Sequence, residues 1–119
     1  MLECFIVGCG GFVGASLRYL IGLIPIEMES GFPIKTFLIN IMGAFVIGLV
    51  VALAGKNAIS PRMTLFLKVG ICGGFTTFSS FALETDQLMA KGAMFTALLY
   101  VIFSLVLGIL AVYFAQKLV

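Results

Sequence analysis

The chain has 119 residues, 62% of them hydrophobic and 10% charged, with a formal net charge of +2. A soluble domain carries about 25% charged residues, so this composition excludes a water-soluble globule and any active site on a large domain outside a membrane. A bilayer crossing takes about 20 apolar residues, and the length accommodates four crossings; the apolar runs are continuous and lack period-two alternation, which excludes a transmembrane barrel.

The first span is expected at about Leu2 to Leu23. Glu3 and the absence of a basic flank argue against a cleavable signal peptide, and the apolar stretch is too long for one. Gly10, Gly14 and Gly22 share a four-residue stripe with Arg18. Small residues at this spacing let helices approach closely. Arg18 lies inside the span, where a charge must either snorkel to the interface or face a polar space; the sequence leaves both readings open. Pro25 ends the helix by removing a backbone donor. A short acidic loop with Glu27, Glu29 and Gly31 follows.

The second span is expected at about Pro33 to Ala54, with Thr36, Asn40, Ala44 and Gly48 on one face and Gly43 close to it. The Asn40 amide is costly in hydrocarbon unless paired. It reads either as an interhelical hydrogen bond or as a neutral donor that coordinates an anion. In the turn from Gly55 to Pro61, Ser60 is placed to cap the next helix and Pro61 to occupy its first position.

The third span, about Arg62 to Met89, carries the most informative stretch, Gly70 to Glu84, GICGGFTTFSSFALE. Paired glycines weaken a helix, and the hydroxyls of Thr76, Thr77, Ser79 and Ser80 are available where the backbone ladder is interrupted. The expectation is a helix broken near Gly73 to Thr77, lining an ion path. A break frees carbonyls on one side, which suit a cation, and N–H groups on the other, which suit an anion. Thr77, Ser80 and Glu84 share one face, and Phe78 and Phe81 form a neighbouring stripe. That stripe reads either as core packing or as ring edges, the positive part of the aromatic quadrupole, turned toward an anion. The fourth span, about Gly92 to Ala115, repeats Tyr100, Ser104 and Gly108 every four residues.

The cysteines Cys4, Cys9 and Cys72 form no CxxC pair, and the chain has no histidine. Metal ligation and Cys/His catalysis are therefore unsupported. The cysteines read as small packing residues, and the chain is not expected to be an enzyme.

Lys56, Arg62, Lys68 and Lys117 fall on one side of the membrane and Arg18, Lys35 and Lys91 nearer the other, four against three. So small a bias does not set an orientation, and insertion both ways up is expected. Four helices are too few to enclose a pore and also satisfy a break. A second, inverted copy, related by a two-fold axis in the membrane plane, would supply the rest.

These residues bring a family into view. Gly10-Gly11-Phe12-Val13-Gly14-Ala15-Ser16-Leu17-Arg18-Tyr19, Asn40-Ile41-Met42-Gly43-Ala44-Phe45 and, most specifically, Gly73-Gly74-Phe75-Thr76-Thr77-Phe78-Ser79-Ser80-Phe81 resemble signatures of the small bacterial fluoride channels called Fluc or CrcB proteins. The resemblance covers all four spans. It implies an antiparallel homodimer in the inner or plasma membrane, with two fluoride pores and a structural Na+ at its centre. By position, the backbone carbonyls of Gly73 and Thr76 from both subunits would hold the Na+. Phe78 and Phe81 would present ring edges to fluoride, and Asn40 its amide. Thr77, Ser80, Glu84, Tyr100 and Ser104 would form a polar track, and Arg18 would stand in a vestibule. The chain departs from the family at Ala44, Ala82 and Gly108, where serine is common, and at Ser80, where threonine is common. Some members work only as unlike pairs, so the partner would be a second copy or a paralogue. No nucleic-acid partner is implied.

The function implied is passive export of cytoplasmic fluoride. A small proton-coupled multidrug exporter shares the size and the four helices, but needs a carboxylate at mid-membrane, where none is evident. A non-transporting assembly subunit would need no broken, hydroxylated helix.

Overall fold

The computed structural model describes residues 1–119. The fold is all helical: α1 (Leu2–Gly22), α2 (Ile34–Gly55), a segmented third span, and α6 (Met94–Leu118). The third span begins as α3 (Pro61–Thr64) and continues as a π-helical stretch (Leu65–Cys72). After a single α turn, α4 (Gly73–Phe75), it restarts as α5 (Phe78–Ala90). Its four crossings are each long and apolar enough to span a bilayer, and the 48 Å long axis suits a membrane about 40–45 Å thick with its headgroups. Only 13 of the 119 residues are buried within the chain. The apolar surface left over is for lipid or another protein to cover, which makes this a multi-pass membrane protein.

The ends of the helices close as their sequences dictate. Ser60 Oγ accepts the Met63 N–H at 3.1 Å, with Pro61 at the first helical position. Beyond α1, Lys35 Nζ donates to the carbonyls of Gly22 at 2.9 Å and Ile24 at 3.2 Å, satisfying two acceptors at that helix end. α5 ends in a Schellman turn: Gly92 sits at φ 82°, its N–H donates to Met89 O, and the Ala93 N–H donates to Leu88 O. α2 ends the same way, with Asn57 in the left-handed position.

Two seams hold the bundle. α1 lies against the first half of the third span with almost no side chain between the backbones. A Cβ on Gly10 would stand 2.6 Å from the Phe66 carbonyl oxygen, one on Gly14 would collide with that of Ile71, and one on Gly74 would stand 2.6 Å from that of Gly11. Gly10 and Gly14 of the stripe are therefore packing positions, as their spacing suggested, whereas a Cβ on Gly22 would meet nothing within 4 Å. The second seam joins α2 to α6, where a Cβ on Gly48 would stand 2.7 Å from the Val112 carbonyl oxygen. At one end, Leu88, Ala97 and Tyr100 form a small core with Phe32, Phe37 and Phe81 packed on it.

Three details differ from the sequence reading. The break is confined to Thr76 and Thr77, both extended (ψ 157° and 115°). The stretch before it is wound as a π-helix, a form usually limited to single turns and frequent at functional sites. Of the cysteines, only Cys72 is packed; Cys4 and Cys9 are exposed on α1.

Candidate functional site

An extended segment inside a membrane span must find partners for its backbone, and the residues around Thr76 and Thr77 supply most of them. Thr76 turns back on α4's approach: its N–H and its Oγ1 both donate to the Cys72 carbonyl, at 3.0 and 2.9 Å. Thr77 caps α5, its Oγ1 accepting the Ser80 N–H at 3.1 Å. From α2, Asn40 pairs with Thr77 at both ends of its amide: Oδ1 accepts the Thr77 N–H at 2.9 Å, and Nδ2 donates to the Thr77 carbonyl at 3.3 Å. From α1, Arg18 Nε donates to the Gly74 carbonyl at 3.2 Å. Asn40 is thus an interhelical bond, one of its two readings. Nδ2 carries two hydrogens, so one remains for a second acceptor. Arg18 is tied to the break rather than drawn to the interface.

Two cavities meet at Thr77, which lines both. The smaller, about 370 Å³, gathers Asn40, Thr76, Thr77, Phe78, Phe81 and Ser104. Its polar groups are hydroxyls, an amide, the Cys72 thiol, backbone and one ammonium, Lys68, and no carboxylate lines it. The Ser104 hydroxyl is buried there without a hydrogen-bond partner. The larger, about 630 Å³, is lined by Arg18, Thr36, Thr77, Ser80, Glu84 and Lys91 among others. Thr77, Ser80 and Glu84 therefore share a wall, as their helical spacing predicted.

Glu84 is held by two hydroxyls. Its Oε2 accepts Thr36 Oγ1 and its Oε1 accepts Tyr100 Oη, each at 2.8 Å. Tyr100 is fully buried and lines neither cavity; it meets the path through Glu84 and through its ring, 4.9 Å from that of Phe81. The Phe81 ring lies 6.0 Å from that of Phe78. Phe78 is 80% exposed in the single chain, a large aromatic surface directly beside the interrupted backbone.

The Thr76 carbonyl receives no backbone N–H, and Gly73 and Thr76 both line the smaller cavity. Uncharged carbonyl oxygens are a donor set that suits an alkali cation, so these residues fit a Na+.

Three features of the site were missed in the sequence. Thr36, read only as part of a face, is a ligand of Glu84. Gly43 admits the Thr76 side chain, whose methyl would collide with a Cβ there. Lys68, counted only as a flanking charge, lines the smaller cavity. A lone ammonium in the apolar run LFLKVGIC was the signal available for it.

The family described as "CrcB-like protein, Camphor Resistance (CrcB)" matches residues 5–116. A protein of Chlorobium phaeobacteroides (strain BS1) named fluoride-specific ion channel FluC is 43% identical over 114 residues, covering 95% of this chain and 89% of its own length. One of the same name from Chlorobium luteolum is 45% identical over 113 residues, covering 94% of this chain and 88% of its own length. Another, from Shewanella piezotolerans, is 40% identical over 120 residues, covering 100% of this chain and 97% of its own length.

Proposed function

The chain belongs to the CrcB family, and from that premise we propose that it is a fluoride-selective ion channel of the cell membrane. It is not an enzyme. The observation that carries the reading is the smaller cavity, which collects neutral donors and the side chains of Phe78 and Phe81 at the helix break and contains no carboxylate.

Fluoride is small and tightly hydrated, so a pore must replace its water with donors. The remaining Nδ2 hydrogen of Asn40, the Thr77 and Ser80 hydroxyls and the orphan Ser104 hydroxyl are such donors, and the Phe78 and Phe81 edges add positive potential without a fixed charge. Neutral ligands keep binding weak enough for release, which conduction requires. Arg18 would draw anions into the larger cavity, and Glu84, with Tyr100 behind it, would close the polar track. Transport would run down the fluoride gradient, out of the cytoplasm.

The exposed Phe78 and the free carbonyl of Thr76 support a partner across the break. The partner would be a second, inverted copy or an unlike paralogue, the pair enclosing two pores. A structural Na+ between the carbonyls of both subunits would offset the dipoles of the break. The proton-coupled exporter is less well supported: of the two carboxyl groups lining the larger cavity, Glu84 is engaged by two hydroxyls and Glu27 lies in the loop between α1 and α2.

Purified protein reconstituted into liposomes and read with a fluoride electrode tests the proposal. Fluoride efflux indifferent to a proton gradient is expected. Absence of efflux would overturn the channel reading, and proton-driven flux would favour the exporter.

A further inference from the structure

The two cavities that share Thr77 carry basic residues at opposite ends. The larger is lined by Arg18, Lys35 and Lys91. The smaller has one ammonium, Lys68, from the π-helical stretch. Beyond Ser104 its wall turns apolar, with Ala44, Ile47, Leu105 and Val112. An ion leaving Asn40 and Ser104 in that direction meets no further hydroxyl or amide side chain on the wall, only the Lys68 ammonium. Lys68 is exposed in the chain and forms no ion pair there. A charge inside a membrane span is expensive unless it faces a polar space, and the cavity is the polar space available to it.

We infer that Lys68 is the anion-attracting residue of the mouth opposite Arg18, raising the local fluoride concentration at the end of the path that lacks hydroxyls. The inference rests on the channel reading and extends it: each pore has a basic group at both ends, one from α1 and one from the π-helical stretch. Lys68 would act by charge, and release would stay fast because the ammonium sits on a flexible stem at the mouth and not at the break.

The test measures initial fluoride efflux from liposomes for wild type, Lys68→Gln and Lys68→Arg, over a range of fluoride and of inert salt. At low fluoride and low salt, Lys68→Gln is expected to be slower by about five-fold, with Lys68→Arg close to wild type. The deficit should shrink at saturating fluoride and as salt screens the charge. Equal rates in Lys68→Gln and wild type would overturn the inference and leave the channel reading intact. So would a loss independent of fluoride and salt, or one shared by Lys68→Arg, because either outcome points to a structural role. A wild-type protein without flux would overturn the channel reading and the role of Lys68 together.

Discussion

Asn40 and Thr77 bind each other as two peptide groups would, the side-chain amide of one exchanging two hydrogen bonds, at 2.9 and 3.3 Å, with the backbone of the other. The Thr77 N–H can only donate, so its bond fixes Oδ1 as the acceptor and thereby turns the NH2 group toward the Thr77 carbonyl. α2 thus stands in for the missing helical turn. The same side chain lines the smaller cavity, so the brace and the proposed path share one amide. Asn40→Asp retains the acceptor for the Thr77 N–H but removes both donor hydrogens. Fluoride flux should fall by about 100-fold, roughly the loss of two to three kcal/mol of charge-assisted hydrogen bonding, while the purified protein keeps its helical circular dichroism. Flux at the wild-type level would remove Asn40 from the path.

Ser104 separates transport from stability more cleanly. Its hydroxyl is buried and unpartnered, a state that costs about 1–3 kcal/mol. Ser104→Ala should therefore leave thermal stability in detergent unchanged or raise it, and at the same time lower flux several-fold. A drop in stability with normal flux would mean that the hydroxyl serves the fold alone.

The channel reading requires the ring of Phe78 rather than its bulk. With most of the side chain outside the chain's own core, Phe78→Ile keeps apolar volume and removes the quadrupole. The expected result is near-complete loss of fluoride flux with unchanged elution on size-exclusion chromatography. Retained flux would show that the edge is dispensable.

The α1 seam predicts a contrast between two glycines of one helix. Gly14→Ala places a methyl against the backbone of Ile71 and Phe75, whereas Gly8→Ala meets nothing within 4 Å in the chain. Overpacking of this kind costs about 1–3 kcal/mol, and more where the obstruction is backbone. Gly14→Ala should lower the apparent melting temperature of the purified protein by several degrees. Gly8→Ala should not destabilise the folded chain. Equal melting temperatures for Gly14→Ala and wild type would mean that the seam yields.

The crossings were legible in the sequence because membrane helices are written as hydropathy, and the start of the third because Ser60 and Pro61 act locally. The break was legible because Gly73-Gly74 followed by Thr76-Thr77 undermines a helix from within. What escaped was everything that depends on which surface meets which. Nothing in LFLKVGIC signals π winding; periodicity assumes a uniform helix, and this stretch lies backbone to backbone on Gly10. The Asn40 amide announced a need for partners without naming Thr77. Tyr100 announced a polar stripe, although its hydroxyl is turned inward to Glu84. Lys68 looked like a topological marker until the fold placed it at the cavity. Ser104 gave its residue type, but only packing could leave its hydroxyl unpaired.

The π-helical stretch has a bearing on how the protein tolerates change in length. Bonds from i to i+5 accommodate more chain per turn than α winding does, so residues 65–72 set the angular phase at which Thr76 emerges. Removing one residue there would barely shorten the span, yet it would rotate the downstream segment and swing Thr77 away from the amide that braces it. Homologous sequences aligned with a gap in this segment would therefore need a compensating shift, and hydropathy profiles would be blind to it.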